Sequence, residues 1–185
     1  MTARITELAH NAVRAVVNPG ETVVDATAGN GHDTLFLAQL VGPTGKVFTF
    51  DVSLEAITST RIRLEKQDMT NVELIHADHA SMEQFSPTGI AAVMFNLGYL
   101  PGGNHAFTTI PISTMSALHA ACRLIRNGGM ITVCAYVGHP GSIEEAEAVM
   151  QFCMQLDAND FEFTMPIEME SSKPRLFIIR KRHST

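Results

Sequence analysis

The clearest chemical signal in this chain is a glycine-containing turn that follows a short apolar run. Residues 23–34 read V-V-D-A-T-A-G-N-G-H-D-T. Two β-branched residues lead into Asp25, glycines follow at 29 and 31, and an apolar helical pattern begins after Thr34. This order predicts a strand, a tight turn and the start of a helix. Such a turn brings backbone close to a nucleotide bound at a helix N-terminus.

Acidic residues follow two later apolar runs. Asp51 comes about 20 residues after the glycine turn, where a carboxylate can accept hydrogen bonds from both hydroxyls of a ribose. Asp78 follows the next run, within the sequence H-A-D-H. Its carboxylate could accept a hydrogen bond from an adenine amino group, or it could cap a helix. The pattern indicates a nucleoside site that several strand ends share.

A third group of residues could hold and activate an amine. Asn96 and Tyr99 lie in N-L-G-Y-L-P-G-G, a rigid segment after another apolar run. An asparagine carbonyl can accept the hydrogens of an amine and fix the direction of its lone pair. Tyr99 could stack on a planar base or contact a cation. His139, in V-G-H-P-G, could take a proton from an ammonium group, although a structural or solvated histidine fits equally well.

The elements that must position these residues alternate between strands and helices. Alternating or continuous apolar runs predict strands over residues 22–25, 46–51, 72–76, 90–96, 130–136, 161–165 and 176–180. Helical spacing predicts helices from about residue 5 to 16, 35 to 41, 53 to 67, 113 to 126 and 142 to 156. We expect Gly128-Gly129 to close the fourth helix, and Ser142 with Glu145 to form a capping box that opens the fifth.

These elements predict an α/β fold with a mostly parallel, seven-stranded sheet and helices on both faces. Most strands are apolar throughout, as in a sheet that is covered on both sides. Only about nine residues join the last two strands, fewer than a right-handed crossover needs, so the last strand should be antiparallel. Ligands of such sheets bind outside the carboxyl ends of the strands, where Asp25, Asp51, Asp78 and Asn96 would meet.

Length and composition predict one domain over residues 1–185 in the cytoplasm. The net charge of −6 and the pI near 5.7 exclude strong non-specific attraction to nucleic acid. Three cysteines without C-x-x-C spacing predict free thiols and no metal site. We find no signal-peptide pattern and no apolar run of membrane-spanning length.

Three segments together resemble a known family. Residues 25–34, 96–103 and 138–141 are similar to small bacterial class I, Rossmann-like methyltransferases that use S-adenosylmethionine and are long labelled as putative rRNA methylases. Members are associated with methylating 5-aminomethyl-2-thiouridine at the tRNA wobble position, so the resemblance implies the tRNA anticodon region as partner. It implies a cofactor site formed by Asp25, Thr27, Gly29, Asn30, Gly31, His32, Asp33, Thr34, Asp51, Asp78, His79 and Asn96, and catalytic roles for Asn96, Tyr99 and His139. Thr27 stands where the usual class I turn has another glycine.

Several alternatives stay open at the level of the sequence. The acceptor could be rRNA or a small molecule instead of tRNA, and a homodimer is left open. A nicotinamide-dependent oxidoreductase is disfavoured because the acid precedes the glycines and Thr34 replaces the third glycine of a dinucleotide fingerprint. A non-catalytic nucleotide-binding module is disfavoured by the acids at the strand ends. Basic residues near the C-terminus could meet phosphates or be simply solvated; they are Arg175, Arg180, Lys181 and Arg182.

Overall fold

The computed structural model describes residues 2–98, 109–138, 140–166 and 174–183. In these ranges the strands are β1 (Thr22–Asp25), β2 (Lys46–Asp51), β3 (Val72–His76), β4 (Ile90–Leu97), β5 (Ile125–Ala135), β6 (Phe161–Thr164) and β7 (Arg175–Lys181). The helices are α1 (Thr2–Arg14), α2 (His32–Val41), α3 (Leu54–Glu65), α4 (Pro111–Leu124) and α5 (Ser142–Gln155). A short 3-10 helix spans His79–Gln84, and Asp78 is its N-cap, one of the two roles that the sequence left open for this residue.

The strands form a seven-stranded sheet in the order β3-β2-β1-β4-β5-β7-β6. The pairs among β1 to β5 are parallel, whereas β7 is antiparallel to both β5 and β6. The predicted mostly parallel sheet with an antiparallel last strand is therefore confirmed. The strand order reverses between β1 and β4, which opens a crevice at their carboxyl ends.

Two apolar layers cover the sheet. Val23 packs in the layer with α1 and α2, while its neighbour Val24 packs in the layer with α4 and α5, because successive strand residues point to opposite faces. Helices on both faces are thus confirmed. Within the described ranges, no helix combines the length and the apolarity that a membrane crossing requires.

The predicted end of the fourth helix is wrong. Helix α4 ends at Leu124, and Gly128-Gly129 lies inside β5, which already begins at Ile125. The Ile125 side chain is buried and pairs with Ile90 before the register shifts. A Cβ at Gly129 would lie 2.6 Å from Ile125 Cγ1, so this glycine allows the strand to fold closely over its own start.

The predicted capping box at α5 is also wrong. The N-cap residue is Gly141, at φ 81°, and it makes no side-chain cap bond. The buried Glu145 carboxylate instead accepts hydrogen bonds from Thr109 Oγ1 at 2.6 Å and from Thr114 Oγ1 at 2.7 Å. A buried carboxylate needs such donors, and the two hydroxyls come from α4 and the residue that follows the 99–108 segment.

We expect Glu145→Ala to lower the free energy of unfolding by about 2–3 kcal/mol, because the buried Thr114 hydroxyl and the partly buried Thr109 hydroxyl lose their carboxylate acceptor. Urea titration of the purified protein measures this change. Glu144→Ala, on the exposed side of the same helix, is the control and should stay within about 0.5 kcal/mol of wild type. Equal effects of the two substitutions would contradict a structural role for the Glu145 carboxylate.

Candidate active site

The turn between β1 and α2 adopts left-handed backbone conformations at two glycines. Gly29 has φ 52° and Gly31, the N-cap of α2, has φ 76°. A Cβ at Gly31 would lie 2.9 Å from the Thr60 Cα atom, so α3 passes too close for any larger residue. Helix α3 also holds the turn, because Thr60 Oγ1 donates to Gly29 O at 3.3 Å and Arg63 Nε donates to Asn30 O at 2.6 Å.

Asp25 lies beneath this turn and is fully buried. Its carboxylate accepts hydrogen bonds from the Thr27 N–H at 3.1 Å and from Thr34 Oγ1 at 2.6 Å. Burial raises the pKa of Asp25 to about 7, and the neighbouring Asp33 carboxylate adds to the increase. Because Asp25 and Thr34 are both 0% exposed, the structure places them as supports of the turn below any ligand.

Asp51 joins the end of β2 to the same turn. Its Oδ2 accepts from the Gly29 N–H at 3.0 Å, and its Oδ1 accepts from the Ser53 N–H at 2.9 Å. The residue is only partly buried. Since each carboxylate oxygen can accept two hydrogen bonds, both oxygens keep capacity for the two hydroxyls of a ribose.

Asp78 and His79 follow β3 and have different surroundings. Asp78 is exposed and caps the 3-10 helix, with Oδ1 accepting from the Ala80 N–H at 2.8 Å. Partial burial raises the pKa of Asp78, but hydrogen bonds from Ser113 and the Ala80 N–H lower it more, so the net shift is downward. His79 is buried with Nδ1 bonded to Ala26 O at 3.0 Å. Asp78 can therefore meet a ligand, whereas His79 braces the end of β1.

Asn96, at the end of β4, is held by both its backbone and its side chain. Its N–H donates to Thr27 Oγ1 at 2.7 Å, and its Nδ2 donates to Asp33 Oδ2. The other Asp33 oxygen is 2.7 Å from His10 Nε2. Among the described residues, none donates to Asn96 Oδ1. The side-chain carbonyl of Asn96 is thus available to an N–H donor.

Two predicted site residues, Tyr99 and His139, lie outside the described residues. Of the other predicted positions, His32 is exposed beside Arg63, with Nε2 at 3.0 Å from the guanidinium. Partial burial and the Arg63 charge lower the pKa of His32. An aromatic ring therefore stands at the outer rim of the glycine turn.

The basic C-terminal residues do not gather at this site. Strand β7 runs antiparallel to β5, so Arg175 pairs with Ala135 at the carboxyl end of β5, near the site, while Arg180 pairs with Met130, five residues before that end. Arg180 and Arg182 approach Glu162 at 3.9 and 3.6 Å. Most of the basic residues near the C-terminus therefore lie toward the end of the strands that is opposite to the crevice.

Sequence reasoning missed the supports that come from α1 and α3. His10, Thr60 and Arg63 were not among the predicted site residues. Each of these residues forms its hydrogen bond with a residue that is 23 to 33 positions away in the sequence. A polar residue beside an apolar helical stripe carries no local signal for such a contact, so only the packing of the helices could show it.

Comparisons with known proteins agree with this geometry. A family model described as "Putative rRNA methylase" matches residues 47–180. The chain is 39% identical over 169 residues to the "tRNA (mnm(5)s(2)U34)-methyltransferase, chloroplastic" of Arabidopsis thaliana. The matched region covers 85% of this chain, which spans about 62% of the length of that relative.

Two crystal structures are similar over nearly their full lengths. A "putative rRNA-methylase" from Clostridium thermocellum is 39% identical, with a TM-score of 0.92 over 96% of this chain and 97% of that one. A "putative methyltransferase" from Streptococcus mutans, in complex with S-adenosylhomocysteine, is 33% identical, with a TM-score of 0.86 and the same coverage. These names favour the methyltransferase prediction over the nicotinamide alternative.

The buried Asp25 carboxylate should make the stability of the ligand-free protein depend on pH. Its folded-state pKa, about 7, is above the ordinary value of 3.8. The folded protein therefore binds this proton more tightly than the unfolded chain. This contribution to stability is complete below about pH 4 and is lost as the pH rises through about 7.

We expect Asp25→Asn to remove that decline in stability. The amide carries no charge, its oxygen can still accept from the Thr27 N–H, and its NH2 group can donate to Thr34 Oγ1. Urea unfolding at several pH values between about 4 and 8 measures the slope. Asp160→Asn, at an exposed position, should retain the wild-type slope. The same decline in Asp25→Asn as in wild type would show that Asp25 does not titrate in this range.

Proposed function

Because this chain belongs to the "Putative rRNA methylase" family, we propose that it is an S-adenosylmethionine-dependent methyltransferase that acts on the 5-aminomethyl amine of a wobble uridine in tRNA. The observation that carries the proposal is the Asn96 amide, which is fixed beside the glycine turn in the crevice between β1 and β4. There a carbonyl oxygen that can orient an amine lies beside a turn that can hold a nucleoside.

The charges of the site suit the proposed cofactor. Asp25 lies close enough to Asp33 and Asp51 for their charges to raise its pKa. Among the described residues, these three carboxylates form no ion pair with lysine or arginine. S-adenosylmethionine carries a sulfonium and an ammonium group, so its binding would offset this negative charge. We assign its ribose to Asp51 and its adenine amino group to Asp78.

The chain's own residues would position and deprotonate the acceptor. When bound, the cofactor supplies an electrophilic methyl group: the C–N bond forms as the C–S bond breaks, and the bonding pair stays on sulfur. The amine must be neutral to attack and must release a proton after it gains the methyl group. Asn96 Oδ1 would accept a hydrogen of the amine and so direct the nitrogen lone pair toward the methyl group. Such orientation of the reactants is the main contribution of the site to the rate. Tyr99, His139 or water would take the proton.

The choice of tRNA rests on the Arabidopsis relative, whose name specifies U34 of tRNA. A base carrying a short amine could reach the crevice only if it left its stack, as single-stranded anticodon bases can. The family description instead names rRNA. The two acceptors are therefore the two outcomes that an experiment must separate.

The purified protein should convert 5-aminomethyluridine to 5-methylaminomethyluridine in tRNA taken from a strain in which the gene for this protein is deleted. Mass spectrometry of the digested nucleosides measures the product. The rate should rise with pH until the amine is fully deprotonated. Wild-type tRNA, already methylated, is the control and should accept little. Methyl transfer to rRNA but not to this tRNA would overturn the substrate and leave the enzyme class standing.

Asp51→Ala should weaken the binding of S-adenosylhomocysteine about tenfold or more, because hydrogen bonds to the ribose are lost. Titration calorimetry measures the affinity. Since Asp51 also holds the Gly29 N–H, the same titration is repeated with the 2′-deoxy and 3′-deoxy forms of the ligand. If Asp51 binds the ribose, the losses from the substitution and from the missing hydroxyl will not add. Additive losses would assign Asp51 to the turn alone.

A further inference from the structure

We propose that His10 and Asp33 are positioning residues that orient the Asn96 amide toward the acceptor amine. This inference rests on the proposed function, because it explains how the acceptor site is held. It changes the predicted role of Asp33 from contacting the cofactor to supporting Asn96, and it gives His10 a role that the sequence did not indicate.

The three side chains form a continuous hydrogen-bonded chain. His10 comes from α1, Asp33 from the first turn of α2, and Asn96 from the end of β4. His10 Nε2 lies 2.7 Å from Asp33 Oδ1, and Asn96 Nδ2 donates to Asp33 Oδ2. Both oxygens of the nearly buried Asp33 carboxylate are thus used within the protein.

This arrangement fixes which end of the amide faces the carboxylate. An ionised carboxylate only accepts hydrogen bonds, so it must face the NH2 end of the Asn96 side chain. The carbonyl end then points away and is available to a donor. Without Asp33 the Asn96 amide could turn by roughly 180° about its last side-chain bond. In the turned orientation it would present its NH2 hydrogens, and not its carbonyl oxygen, to the amine.

His10 is itself held in place. Its ring stacks on Phe36 of α2 at 3.8 Å between centroids, with an angle of 9° between the planes. Helix α1 is anchored in the core by the buried Ile5, Ala9 and Val13. His10 and Asp33 expose only 18% and 8% of their side chains, so their contact is shielded from water. The position of α1 is thereby linked to the direction of the Asn96 amide.

The test compares turnover with cofactor affinity in point variants. His10→Ala should lower kcat about tenfold or more, since small misplacements of a positioning group have large effects on rate. The affinity for S-adenosylhomocysteine, measured by calorimetry, should stay within about twofold. His10→Gln should recover part of kcat, because its amide can donate to Asp33. His119→Gln, at an exposed helical histidine that contacts Phe152, is the matched control and should leave both values unchanged.

Asp33→Ala and Asn96→Ala should lower kcat by similar factors, and the double variant should lose little more than either alone. Losses that multiply in the double variant would overturn the proposal, because the two residues would then act separately. A parallel loss of cofactor affinity in His10→Ala would also overturn it.

A second measurement does not depend on turnover. In 15N-labelled protein, the NMR signal of the Asn96 side-chain NH2 group can be assigned by its loss in Asn96→Asp. Its hydrogens should exchange slowly with solvent in wild type and in the control His119→Gln. They should exchange rapidly in His10→Ala and in Asp33→Ala. Rapid exchange in wild type would overturn the positioning role. Slow exchange in a wild-type protein that methylates neither tRNA nor rRNA would uphold the hydrogen-bonded chain and reject the proposed function.

Discussion

The buried Asp25 carboxylate is the contact on which the rest of the site depends. It ties the end of β1 to the Thr27 N–H and to Thr34 in α2, and so sets the path of the glycine turn between them. Thr27 in turn accepts the Asn96 N–H. The glycine turn and the Asn96 amide, to which we assign the cofactor and the acceptor, therefore both depend on one carboxylate beneath the turn.

The site places the carboxylates of Asp25 and Asp33 close together in the protein interior, which lowers the stability of the folded protein. Burial and the nearby Asp33 raise the pKa of Asp25 to about 7, so this carboxyl is only partly ionised in the ligand-free protein near neutral pH. A cationic ligand above the turn would shift it toward the ionised form. Charge in this site thus favours a cationic cofactor over a neutral or anionic one, and it would favour the cofactor over its product, which lacks the sulfonium charge.

The sequence predicted what local patterns can specify. Apolar runs and turn residues indicated all seven strands, and the short final connection indicated the antiparallel β7. Predictions failed where a distant contact decided the outcome. Glu145 caps no helix because two threonine hydroxyls from elsewhere bind its carboxylate, and Gly128-Gly129 lies in a strand because Ile125 pairs with Ile90. The role of His10 could not be predicted for the same reason.

Helices on the two faces of the sheet hold opposite ends of one segment, residues 96–109, in different ways. On one face, α1 and α2 supply His10 and Asp33, which hold the Asn96 amide at the beginning of the segment. On the other face, α5 supplies Glu145, which holds Thr109 at the end of it; Thr109 Oγ1 also accepts the Gly98 N–H at 3.0 Å. Asn96 and Thr109 are thus each held by a carboxylate on a packed helix. Because these carboxylates belong to residues outside the segment, a substitution within positions 99–108 leaves both holding contacts in place.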